Sequence, residues 1–429
     1  MSNAYFSSTS YHMSTSRKKL INALGPGILF ASTCIGVSHL VQSTRAGADF
    51  GYGLVIFIVL ALLFKYPFFE FGSRYAAATK KSLLEGYLQE GKWVLWVYFL
   101  LSLVSMFTVT AAVTFVTAGM LNNLTGLTLD PAYVSGGILL FCMVVLAIGK
   151  YGLLDSMLKI VGAVLLISTL VAFFAAIAKG RVTSVESFIP KELTDKSSLI
   201  FIVALMGWMP TAVDLSTWNS LWAIERMKQI GYTPKLKAVL FDFNFGYIIT
   251  AILAICFLTL GANVMYGTGV ELSGNSTEFS HQVVTLFTGA LGDWAYLIIA
   301  TAAFSAMFST TITVVDGYGR AMGETVRLLF FKEAKQKTTY NWMLVTVGVI
   351  SFFFILLLSA NLKELVDLAT ILSFLIAPVI AWINYKVITS KQISEEFRPG
   401  KKLLLLAKSG LVFLTAFAVV YVIVYFFMP

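Results

Sequence analysis

Apolar residues in this chain fall into runs of about 20, the length of helix needed to cross a bilayer core, divided by short polar stretches. Eleven such runs stand out, at 22–46, 52–76, 93–119, 132–149, 153–178, 197–222, 238–262, 287–324, 341–359, 364–387 and 405–427. The pattern predicts an all-α integral membrane protein with one transmembrane domain at 21–429. Residues 1–20 read as a polar cytoplasmic tail without the apolar core of a cleavable signal, so the first run is expected to act as the insertion signal.

Two runs contain helix breakers. The first holds Gly36-Val37-Ser38-His39, a weakly helical polar stretch in apolar surroundings. The sixth holds Gly207 and Pro210, and proline removes a backbone donor and clashes with the preceding turn. The breaks are five runs apart. Secondary transporters with an inverted repeat interrupt the first helix of each five-helix unit near the midplane, where freed carbonyls and helix termini meet the cargo. The expected architecture is therefore a 5+5 inverted repeat, with repeat one at about 22–178, repeat two at about 197–387 and an extra helix at about 405–427.

Composition agrees. Hydrophobic residues make up 58% of the chain and charged residues 12%, against roughly 25% charged in soluble domains. A net charge of +9 could suggest nucleic acid, but the positions of Lys and Arg exclude that reading. They gather in alternate loops, at 17–19, 80–81, 150, 226–237, 332–337 and 391–402, whereas loops 120–131 and 263–286 have none. Such asymmetry places the basic loops in the cytoplasm, facing membrane lipid. The N-terminus is then inside and the C-terminus outside, in what the compact build suggests is a bacterial plasma membrane. No nucleotide-binding loop or catalytic triad is visible, so the chain reads as a non-enzyme without a resident cofactor. Its energy would come from an ion or substrate gradient.

Four segments carry a family resemblance: "GPGIL" at 25–29, "AGADFGYGL" at 46–54, "MP" at 209–210 and "STTIT" at 309–313. With their spacing, they resemble the NRAMP metal-ion transporters, over about 20–425. The resemblance implies the LeuT-like fold, alternating access and a divalent metal ion as cargo. It also implies ligand positions. The family's first-break Asp-Pro-Gly-Asn falls on Gly36, Val37, Ser38 and His39, so its carboxylate is absent here. Its Met-Pro-His falls on Met209, Pro210 and Thr211, and its backbone-carbonyl ligand on Met206. The acidic pair of its third helix falls on Thr110 and Val113, and a tenth-helix Gln on Leu375.

The candidate substrate site is therefore Gly36, Ser38, His39, Met206, Met209 and Thr211, with Met209 and His39 as candidate metal ligands. Thioether and imidazole suit a softer metal than Mn²⁺. The alternative cargo is a small organic solute in a pocket shaped by Trp208. A membrane enzyme or receptor is a third class, for which no catalytic cluster or soluble domain is seen.

Charges inside the bilayer are costly and default to function. His39, Asp214 and Glu70 are candidate proton or coupling sites, although Glu70 can also pair with Arg74 one turn on. Lys65, beside Tyr66-Pro67 in mid-helix, could snorkel or be buried. Arg45 with Asp49, Asp242 with Lys237, and Asp316 with Arg320 read as structural pairs. The sequence does not specify an oligomeric state.

Overall fold

The computed structural model describes residues 25–148, 151–186, 188–358 and 361–428. The predicted tail at 1–20 lies outside them. Within them the chain is helical, and eleven spans follow the predicted order. Eight helices are individually long and apolar enough to cross a membrane. The first and sixth spans are interrupted, as their breakers predict. The first runs through Pro26–Cys34, a π-helical turn Val37–Ser43 and Thr44–Phe50. The sixth runs through Lys196–Gly207, a short 3₁₀ turn Val213–Leu215 and Ser216–Ile230.

The second span is Val55–Thr79, and an amphipathic helix Leu83–Glu90 follows it. Ser82 and Glu85 form a reciprocal capping box at its start, satisfying two backbone donors that the first turn would leave without partners. The remaining spans are Lys92–Thr125, Pro131–Ile148, Tyr151–Lys179, Leu236–Val264, Tyr296–Phe330, Gln336–Leu358, Leu362–Ile388 and Lys401–Phe427.

One expected boundary is corrected. The apolar run at 287–324 is not one helix. Residues up to Leu291 belong to a separate helix, Ser276–Leu291, capped at its start by the Asn275 side chain. Gly292, at φ 101°, ends it, a conformation other residues rarely adopt. The eighth span begins at Tyr296 after a 3₁₀ turn. Hydropathy alone merged the two because the junction contains only one charged residue, Asp293.

Both halves of the first span lie against the seventh at backbone contact. A Cβ added at Gly27 would sit 2.0 Å from the Asp242 carbonyl oxygen, and one at Gly246 would sit 2.1 Å from that of Gly27. Gly47 and Gly261 repeat this relation one layer further out, against Leu258 and Thr44. Small residues bring helix backbones this close where hydrophobic exclusion cannot drive packing. The last span is peripheral: Leu405, Val412 and Phe426 are about two-thirds or more exposed, which suits a lipid-facing helix.

Candidate functional site

A helix that stops inside a membrane protein leaves its last carbonyls without partners, and no bulk water is present to meet them. At the first break Cys34 ends the first half, and Gly36 turns the chain at φ −130°, ψ −125°. Gly36 has no room for a side chain, because a Cβ there would lie 2.5 Å from Thr310 Oγ1. Thr310, from the "STTIT" segment, in turn donates to the Ser32 carbonyl at 3.0 Å. The Ser38 hydroxyl sits 2.5 Å from the Cys34 carbonyl and 3.2 Å from that of Pro210, joining one break to the other.

His39 is completely buried. Its Nε2 lies 2.8 Å from the Thr250 carbonyl, which can only accept, so Nε2 carries a hydrogen. Its Nδ1 lies 2.7 Å from Ser38 Oγ. In this conformation both ring nitrogens face protein oxygens, and a metal ion approaching Nδ1 would have to displace the Ser38 hydroxyl.

At the second break Gly207 ends the first half-helix, and the Met209–Pro210 peptide is cis. Met206 and Met209 are fully buried, and Thr211 nearly so. Trp208 donates its indole hydrogen to Ser373 of the tenth span at 2.9 Å, which fixes the ring to that span.

The occupant of this break is Lys65. Its side chain has no exposure. Its ammonium donates to the carbonyls of Met206 at 2.6 Å, Gly207 at 2.8 Å and Thr211 at 3.2 Å. Three donors meet three acceptors, so the group is saturated. The placement follows from physical chemistry: the C-terminus of a half-helix carries partial negative charge, and burying an unpaired ammonium would cost several kcal/mol.

Asp214, also fully buried, lies just beyond and interacts electrostatically with Lys65. Tyr318 of the eighth span donates to Asp214 Oδ2 at 3.3 Å. Among the described residues, Asp214 Oδ1 has no hydrogen-bond partner. Below it Tyr98 and Thr217 join the third and sixth spans at 2.9 Å, and Asn384 bridges Tyr87 and Ser216.

The site thus brings together Gly36, Ser38 and His39 from the first break with Met206, Met209, Thr211 and Asp214 from the sixth. Glu70 stands apart. It holds Arg74 through contacts of 2.5–3.0 Å, and Arg74 also donates to the Phe397 carbonyl. Thr110, at a position the resemblance makes acidic, is buried, and among the described residues its hydroxyl has no hydrogen-bond partner.

Several partners were not foreseen. Arg45 does not pair with Asp49, as its spacing predicts. It reaches Asp367 of the tenth span in a two-pronged contact of 2.7 and 3.1 Å, joined by Gln42 and stacked over Phe201. Asp49 pairs instead with Lys191 at 3.2 Å. A planar guanidinium matches a carboxylate edge across a helix gap better than along an exposed turn, and the carboxylate at 367 in an apolar run was the available sequence signal. Asp242 accepts the backbone N–H groups of Gly25 and Gly27, at 3.1 and 2.7 Å, at the start of the first span. The pair Asp316–Arg320 forms as expected, at 2.8 Å.

Two broken helices packed against each other inside a scaffold of continuous spans, each opening a five-helix unit, define the LeuT-like class of transporter fold. Within that class the chain belongs to the Nramp family: residues 27–425 match the family model described as natural resistance-associated macrophage protein-like. An uncharacterised protein of Pasteurella multocida is 36% identical over 404 residues, covering 93% of this chain and 92% of that one. The divalent metal cation transporter MntH of Staphylococcus saprophyticus is 25% identical over 309 residues, covering 69% of this chain and 68% of its own. A mutant of the Eremococcus coleocola manganese transporter superposes with a TM-score of 0.72 at 12% identity, over 100% of this chain and 90% of that one.

Proposed function

We propose that this protein is a secondary transporter that carries a divalent metal cation by alternating access, through a site altered at the first break. The observation behind this reading is the convergence of the Met206, Gly207 and Thr211 carbonyls on one positive charge, 2.6–3.2 Å away. A main-chain cage that gathers around an ammonium has the chemistry to gather around a metal ion. Met209 adds a thioether at the same turn, and Asp214 supplies formal negative charge nearby. Family membership and the named cargo of the Staphylococcus and Eremococcus transporters support the same cargo class. The N-terminus is proposed to be cytoplasmic, from the distribution of Lys and Arg.

Uptake of Mn²⁺, Zn²⁺ and Ni²⁺ into proteoliposomes is the test. Saturable uptake is expected, and Met209→Ala should shift it against Zn²⁺ and Ni²⁺ more than against Mn²⁺, because a thioether favours the softer ions. Absence of uptake for every metal, from protein shown to be folded, would reject the proposal.

A second reading, transport of a small organic solute, is favoured by one set of observations. The first break has no carboxylate, and both nitrogens of His39 are engaged. It predicts solute uptake that metals do not inhibit.

A further inference from the structure

Resting on the metal-cargo reading, we propose that Lys65 sets the affinity of the cargo site: it is a tethered cation that occupies the carbonyl cage of the sixth-span break and must be displaced by the cargo.

The argument starts from the cage. Met206 and Gly207 are the last residues of a half-helix, and Thr211 lies across the unwound turn. Their carbonyls point at a single atom, Lys65 Nζ, and no ammonium hydrogen is left over. The lysine comes from a different element, the continuous second span, so the cage and its occupant can separate when the broken helix moves. Two positive charges cannot share the cage, since repulsion at contact distance in a buried site is large compared with the energy of a hydrogen bond.

A metal ion therefore meets a competitor of fixed local concentration. The ammonium interacts electrostatically with Asp214, whose Oδ1 has no hydrogen-bond partner among the described residues. The structure thus contains a cage whose occupant is tethered to another element, and a buried carboxylate that interacts with that occupant. The competitor weakens binding of every cation. The factor is the same for each cation, because it depends only on how often the ammonium leaves the cage, so Lys65 sets a threshold of intrinsic affinity that cargo must exceed.

The test uses the full-length protein in detergent, with Mn²⁺ as probe in a binding titration and in proteoliposome uptake. Lys65→Leu and Lys65→Ala remove the ammonium with and without retaining bulk, and Lys65→Arg keeps the charge. Elution as a monodisperse peak, together with a cooperative thermal transition, shows which variants are folded. The expected result is Mn²⁺ binding about tenfold tighter or more in the neutral variants, a difference of about 1.4 kcal/mol, and a lower KM for uptake. Lys65→Arg should stay at or below the wild-type affinity. Unchanged or weaker binding in either folded neutral variant, beside a wild type that transports Mn²⁺, would overturn the role of Lys65 alone. Absence of binding and uptake in all forms would overturn the metal reading and this inference with it.

Discussion

His39 shows how little a residue's identity fixes its role. A histidine at a helix break in a membrane is a natural ligand by sequence. Here its two nitrogens face Thr250 and Ser38, and it ties the first break to the seventh span. His39→Ala should therefore lower stability more than it alters metal preference. A loss of about 1–3 kcal/mol is expected, the cost of stranding a buried polar partner, read as a drop in the thermal midpoint with the ratio of Mn²⁺ to Zn²⁺ uptake unchanged. Asp214 is the opposite case. Asp214→Asn keeps the shape but removes a buried carboxylate that interacts with Lys65. It should cut uptake at least tenfold while the protein elutes normally, and wild-type uptake by this variant would exclude a role in cargo handling. Lys65 was legible as an anomaly, a lysine within an apolar run. Its three acceptors were not, because hydrogen bonds to main-chain carbonyls 141 to 146 residues away leave no side-chain pattern.

At the scale of the element, the breakers Gly36, Gly207 and Pro210 placed both interruptions correctly. Hydropathy placed the spans, since lipid imposes apolar length whatever the partners. It failed at 287–324, where the change from Ser276–Leu291 to Tyr296–Phe330 depends on the backbone of Gly292. Close packing of the first and seventh spans was also hidden, because glycine frequency does not reveal which backbone it admits. Gly27→Leu is expected to abolish transport and lower expression. Its Cβ alone would lie 2.0 Å from the Asp242 carbonyl, and overpacking of this kind costs about 1–3 kcal/mol or more. Fluorescence-detected size exclusion would register the loss, and a normal elution profile would show that the helices can part there without penalty.

For the molecule as a whole, the two ends of the first span are held to different partners. Asp242 holds its start at Gly25 and Gly27, on the side proposed to be cytoplasmic. Arg45 holds its second half, on the side proposed to be outside, to Asp367. Releasing one without the other should bias access to that side. With Asp367→Asn, a cysteine introduced at Ser43, buried in this structure, should react faster with an impermeant thiol reagent added outside. An unchanged rate would mean that Arg45 does not hold the outer side closed. Neither tie was readable from local spacing, which suggested Arg45 with Asp49, because the partners are 322 and 215–217 residues apart in the chain.

The ammonium at the sixth-span break has one further consequence, an electrical one. With Lys65 seated in the cage and Asp214 near it inside the protein, the charges of the ammonium and the carboxylate sum to zero. On the proposed alternating-access function, a carrier without cargo would change its facing without moving net charge through the bilayer, and membrane voltage would do no work on its return. A divalent ion adds two charges to the loaded passage, and each charge crossing the full field is worth about 2.3 kcal/mol per 100 mV. A negative interior would thus pull the filled carrier inward and leave the empty one free to go back.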